Sequence, residues 1–197
     1  MKYRFGFMVN KGYLELQPYE VFHIKHRVEG WHLKIFYNMI TLTILTLLIT
    51  LLYNSYIIIK YKKIPESLSE TSYLLGGNKR YLFTGYCFII SFCLLPVLFT
   101  ITNNFLFLPF IFCGGLLFAG CSPLFKSGLD KPIHYICSYI AFAAYIFYMI
   151  FCMGWIWLIG YLIVFGILCA IKWRSYIYWA EILALLEIII FILCCCI

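Results

Sequence analysis

The chain has 197 residues and a net charge of +7, and 64% of its residues are hydrophobic while only 12% are charged. Its mean hydropathy is +0.94. A soluble globular domain carries about 45–50% apolar and about 25% charged residues, so the charges here are too few to cover a water-soluble body. The composition excludes a soluble domain and predicts a polytopic membrane protein.

The basic residues lie in the N-terminal tail and in connectors between apolar segments, and they form no helical stripe. This distribution is typical of charge that flanks a membrane and is attracted to anionic lipid headgroups. We therefore expect membrane lipids as partners and no nucleic acid.

The first region in chain order is a basic tail, residues 1–38. It has no apolar core of the kind a signal peptide needs. Alternation near "FMVNKGYLEL" allows a small hairpin, and "EGWHLKIFYN" predicts an interfacial helix that leads into the first span. Its three histidines are predicted to be solvated rather than to bind a metal.

The second region, residues 39–197, is predicted to be the transmembrane domain. A spanning helix needs about 20 predominantly apolar residues, and six segments qualify. Short connectors join the second segment to the third and the fourth to the fifth, so each of these pairs is predicted to form a helical hairpin. The predicted fold class is all-α, a polytopic transmembrane helical bundle of about six spans. The spans cover residues 39–60, 81–101, 105–122, 133–152, 154–171 and 176–197.

The connector between the first two spans, "IPESLSETSYLLGG", is the longest polar interruption of the transmembrane domain. Ser67 with Glu70 three residues later has the spacing of a capping box, and Gly76 with Gly77 is typical of a helix end. We predict a short helix here that lies in the membrane interface with its leucines facing the membrane.

Lysine and arginine counts predict the orientation of the spans. Connectors one, three and five carry nine such residues together, and connectors two and four and the C-terminal end carry none. The odd connectors are therefore predicted to be cytoplasmic, which with six spans places both termini outside. The six basic residues of the tail favour the opposite side for the N-terminus.

Polar side chains that can bind a ligand converge on the face of the odd connectors. They come from connector one, the end of span three, the start of span four and the start of span six, and Glu187 lies deeper in span six. An ionisable group inside a bilayer is costly unless it faces the bundle or is paired, so Glu187 is a candidate for either a functional or a structural role. The predicted face consists of Ser67, Ser69, Glu70, Tyr73, Ser122, His134, Tyr178 and Glu181.

No cofactor or metal is predicted. Ten cysteines are present, but none forms a C-x-x-C pair and no second cluster completes a zinc site. A triad of Ser122, His134 and a carboxylate fits on one face, yet the chain has no G-x-S-x-G elbow. A non-enzymatic protein is therefore favoured over an enzyme.

The motif order resembles that of small six-span membrane proteins of unknown function from gut bacteria and their phages, and more distantly the DRAM/Sfk-type six-helix group. The shared motifs are the "IPESLSETSYLL" connector, a "LFT" span, "GGLLFAGCSPLFK", an "IHY" helix and a "YWAE" start of the last span. The resemblance covers about residues 40–197 and implies a bacterial inner (cytoplasmic) membrane, with no established activity.

The function predicted first is binding of a lipid or a partner protein at the face of the odd connectors, with a second copy of the chain as a further candidate partner. A small-solute transporter or a proton-coupled pathway through the bundle, in which Glu187 and His134 titrate, is the alternative. A lipid-modifying enzyme is third, because no complete catalytic set can be named.

Overall fold

The structure is a computed structural model that describes residues 18–122, 130–171 and 173–196. Every regular element of that part is helical, so the predicted all-α class is confirmed. The short helix expected between the first two spans is present as α2. The helices are α1 Pro18–Tyr61, α2 Glu70–Leu75, α3 Tyr81–Ile101, α4 Phe107–Cys121, α5 Asp130–Tyr148, α6 Trp155–Ile171 and α7 Tyr176–Cys195.

Contacts divide the chain into two units, Met1–Tyr37 and Asn38–Ile197. The segment "EGWHLKIFYN", all but its last residue in the first unit, belongs to the long helix α1, which begins at Pro18. Proline suits the first turn of a helix because the missing N–H has no intrahelical partner there. The hairpin predicted near "FMVNKGYLEL" lies outside the described residues. The candidate site lies within the second unit.

Within the described residues, four helical segments are long enough and apolar enough to cross a membrane, and they mark the chain as a membrane protein. They cover Lys34–Tyr61, Gly77–Ile101, Pro132–Met153 and Tyr176–Cys195. The other two apolar helices, α4 and α6, have 15 and 17 residues. At about 1.5 Å per residue, α4 is about 22 Å long. The hydrocarbon core of a bilayer is thicker, about 30 Å.

The closest packing joins α3, α4 and α5, where small residues bring the backbones together. A methyl group added at Gly115 would lie 2.8 Å from Ala141 Cβ, and one added at Gly120 would collide with Cys87. Thr84 Oγ1 also donates a hydrogen bond to Gly120 O across 2.7 Å. The close approach of α4 to its neighbours therefore depends on these two glycines.

The connectors lie at two ends of the bundle. At one end are the α3–α4 and α5–α6 turns, where Thr102 Oγ1 lies 3.0 Å from Tyr148 OH. Gly154 adopts a φ of 100° in the α5–α6 turn, a conformation that favours glycine. The opposite end holds the α1–α3 connector and the starts of α5 and α7, as the hydrogen bond from Tyr178 N–H to Glu66 O (3.0 Å) shows. We call this the mouth end.

Candidate ligand-binding cavity

Side chains of the connector close the turn that leads into the short helix α2. Ser67 Oγ accepts a hydrogen bond from Glu70 N–H at 3.1 Å, as the capping pattern predicts. The Glu70 carboxylate returns to Glu66 N–H at 2.5 Å, one residue before the position that the motif specifies. Gly76, with a φ of 61°, ends the helix. The polar residues of the connector thus fix its conformation.

Three further hydrogen bonds fasten this connector to the bundle. Glu181 Oε2 on α7 accepts from Leu68 N–H at 2.6 Å. The Tyr178 N–H described above donates to the connector backbone, and Tyr53 OH on α1 lies 2.5 Å from Thr71 Oγ1. Together these bonds tie the connector to both α1 and α7.

A cavity of about 710 Å³ lies beneath α2 between α3, α5 and α7. Pockets that bind small molecules have volumes of about 300–1,000 Å³, and this cavity falls within that range. Polar groups gather at its mouth, and aromatic and aliphatic side chains form its walls. The mouth contains Glu66, Ser67, Ser69, Glu70, His134, Ser138 and Glu181, and the walls include Phe83, Ile90, Phe112, Leu116, Phe142, Phe165 and Leu185.

The cavity forms because α5 and α6 diverge from their common turn. Helix α5 packs mainly on α4, and α6 packs mainly on α7. They meet through aromatic rings near the turn, where the Tyr145 and Tyr161 ring centroids are 5.7 Å apart. Farther from the turn, the cavity-lining Tyr139 and Phe142 are 73% and 41% exposed. The cavity is therefore open at its side, between α5 and α6.

His134 at the start of α5 is held by the end of α4. Its Nδ1 lies 3.2 Å from both Ser122 Oγ and Ala119 O. Ser122 Oγ donates its own hydrogen to Ala119 O at 2.8 Å, so it accepts from a protonated Nδ1. Nε2 is then the acceptor that faces Ser138 Oγ, 3.5 Å away in the cavity lining.

This network does not build the catalytic triad that the sequence allowed. Ser122 is only 3% exposed, and its hydrogen is committed to Ala119 O, whereas a nucleophile needs a base that takes its proton. Within the described residues no carboxylate hydrogen-bonds to His134. Ser122 and His134 therefore join α4 to α5, and His134 presents one nitrogen to the cavity.

The structure places the eight predicted face residues and the deeper Glu187 in three groups. Ser122 lies behind His134, and Tyr178 is directed away from the cavity, because its OH donates to Asn54 Oδ1 on α1 at 2.8 Å. Glu187 lies below the floor of the cavity, which Tyr145 forms. The remaining six line the cavity, namely Ser67, Ser69, Glu70, Tyr73, His134 and Glu181.

Sequence reasoning missed the contribution of α5 beyond His134. Ser138, Ala141 and Tyr145 line the cavity together with His134. Their spacing of four, three and four residues is that of one helical face. That periodicity was readable, and His134 and Ser138 mark this face as polar, but the sequence does not indicate whether a helix face borders a neighbouring helix or a cavity.

Glu187 is buried at 7% exposure and accepts a hydrogen bond from Tyr145 OH at 2.5 Å. It therefore faces the bundle and is paired, as the cost of an intramembrane carboxylate requires.

A second, smaller cavity of about 140 Å³ lies near Thr102 and Tyr148 at the other end. Fully buried Met149 and Ile188 lie in the core of the same bundle.

The described residues contain no group of three or more histidine, cysteine, aspartate or glutamate side chains that could hold a metal ion. The cysteines of this part of the chain are free thiols. The polar chemistry of the cavity therefore consists of carboxylates, hydroxyls and one imidazole.

No family model, no curated protein and no solved structure matches the chain. The resemblance to six-span proteins of gut bacteria and their phages stays a prediction from the motifs.

Proposed function

We propose that this chain is an integral protein of a bacterial cytoplasmic membrane that binds a lipid or lipid-like amphiphile in the cavity beneath α2. The observation that carries the proposal is the combination of a polar mouth, aromatic and aliphatic walls and a lateral opening in one cavity of about 710 Å³. An amphiphile matches that combination with its head at the mouth and its chain along the walls.

In this proposal α4 and α6 also cross the membrane, which gives six spans, and the mouth end faces the cytoplasm. The lysine and arginine residues of the odd connectors support that side, and α2 then lies at the headgroup level. The exposed apolar side chains that surround the bundle support its placement in lipid. Examples are Leu52, Phe92, Ile156 and Ile163.

Selectivity in such a site comes mainly from the head of the ligand. A lipid chain that moves from the bilayer into the cavity leaves one apolar environment for another, so the hydrophobic effect contributes little. The mouth groups instead offer hydrogen bonds and charge at a defined depth. Shape and head chemistry therefore decide which amphiphile binds.

Transport and lipid modification are supported less well. A transport route needs polar groups that line a continuous cavity, and in the described residues the large cavity stops at Tyr145 while Glu187 is buried below it. An enzyme needs an activated nucleophile or a metal set, and Ser122 is not activated. Ligand binding requires neither a continuous polar route nor an activated nucleophile or metal.

Replacement of Ala180 by phenylalanine tests the proposal, because Ala180 lines the cavity and the larger side chain would occupy it. We expect native mass spectrometry of the protein released from mild detergent to show one retained lipid on the wild type and none on Ala180→Phe. Ala143→Phe, at an exposed position of α5 outside the cavity lining, is the matched control and should retain the lipid. Equal lipid retention by the two variants would count against a ligand in this cavity.

A further inference from the structure

The carboxylates at the mouth are not equivalent. Glu70 accepts a hydrogen bond from Glu66 N–H and pairs with Lys63 at 3.3 Å, so its charge is already balanced. Glu181 accepts Leu68 N–H through Oε2 only, and among the described residues it has no cationic partner. It lines the cavity beside apolar side chains such as Ala184 and Leu185. A carboxylate in such surroundings is costly until a positive charge lies next to it.

Aromatic rings make up a large part of the cavity wall and lie on four helices, α3 to α6. The faces of such rings carry negative potential and attract cations, including quaternary ammonium groups. No lysine or arginine belongs to the described lining, so the described residues offer an anionic head no charge-assisted hydrogen bond from such a side chain. The rings belong to Phe83, Tyr86, Phe112, Tyr135, Tyr139, Phe142, Tyr145 and Phe165.

We propose that the amphiphile bound here carries a cationic head, an amine or a quaternary ammonium group, with Glu181 as its counter-ion and the aromatic wall around it. This inference rests on the proposed function of the cavity and names the class of its ligand. His134, with Nε2 facing the cavity, adds an acceptor for an N–H of a primary amine. Phosphate or carboxylate heads are disfavoured by the charge of Glu181.

Dodecyl-chain probes that differ only in their heads test the inference. Purified protein in dodecyl maltoside is titrated with dodecyltrimethylammonium, dodecylamine, dodecyl phosphate and dodecanol, and bound probe is counted by native mass spectrometry. We expect the two cationic probes to bind at least about tenfold more tightly than dodecyl phosphate, because the carboxylate attracts one charge and repels the other. The affinity for dodecanol should lie between that for the cationic probes and that for dodecyl phosphate.

Glu181→Gln is the informative variant because its amide oxygen can still accept the Leu68 N–H, so the tether of α2 is kept. We expect it to weaken binding of the cationic probes about tenfold or more and to leave dodecanol unchanged. Equal cationic binding by wild type and variant would overturn the assignment of Glu181.

The wild-type titration alone decides the inference if the variant does not fold. Preference for dodecyl phosphate or dodecanol over the cationic probes would overturn the cationic head and leave the lipid-binding proposal standing. Failure of every probe to bind, together with no retained lipid, would overturn both proposals.

Discussion

Replacement of Gly115 by alanine is expected to destabilise the bundle by about 1–3 kcal/mol, the usual cost of inserting a methylene into a packed core. The added methyl group would lie 2.8 Å from Ala141 Cβ and 3.0 Å from its Cα, so α4 and α5 must move apart. In a helix, alanine is more favourable than glycine by about 1 kcal/mol. A loss of stability would therefore have to come from the contact with Ala141 and outweigh this gain. The measurement is the free energy of unfolding in mixed micelles, followed by tryptophan fluorescence.

Two controls separate this contact from a general effect of substitution. Gly114 precedes it in the same helix, and a methyl group there would meet no atom within 4 Å, so Gly114→Ala should be neutral or stabilising. Ala141→Gly removes the facing methyl group and should restore part of the lost stability in the Gly115→Ala background, because the backbone N and Cα of position 141, both 3.0 Å away, remain. If Gly114→Ala cost as much as Gly115→Ala, or if Ala141→Gly gave no recovery, the close α4–α5 contact would be wrong.

The second large effect is expected for Tyr145→Phe, which removes the hydroxyl that donates to Glu187 Oε2. A buried acceptor that loses its partner costs about 1–3 kcal/mol, and a charged one costs more. We therefore expect a lower free energy of unfolding in mixed micelles. Glu187→Gln is the matched control, because the glutamine carbonyl can still accept from Tyr145 OH and should cost less.

A double-mutant cycle distinguishes a structural pair from two independent residues. In a Glu187→Leu background the acceptor is absent, so Tyr145→Phe should cost much less than it does in the wild type. Equal costs in the two backgrounds would show that Tyr145 does not stabilise Glu187. The structural role of Glu187, left open by the sequence, would then lose its support.

The helix positions were predictable because hydropathy marks an apolar run with little ambiguity. The second span was predicted at 81–101, and α3 covers Tyr81–Ile101. The first span was predicted from residue 39, but α1 begins at Pro18, since a polar amphipathic segment can continue a helix without any apolar run. The number of spans depends on α4 and α6, whose lengths lie near the limit for crossing a bilayer.

The polar face was only partly predictable from position in the chain. His134 and Glu181 were expected at the same face, and both line one cavity. Tyr178 was expected with them, but its side chain hydrogen-bonds to Asn54 on the opposite side of α7. The sequence gives the depth of a side chain in the membrane, whereas the face it occupies depends on helix rotation, which packing decides. The divergence of α5 from α6 is likewise a tertiary feature.

The most direct test of a lipid-like ligand beneath α2 is photocrosslinking in native membranes with a phospholipid that carries a diazirine on its acyl chain. Helix α5 provides an internal control, because Tyr139 and Phe142 line the cavity while Ile136, Ile140 and Phe147 are comparably exposed outside its lining. A bound lipid predicts stronger labelling of the cavity face, mapped by peptide mass spectrometry, and loss of that excess in Ala180→Phe. Equal labelling of both faces, unchanged by Ala180→Phe, would contradict it.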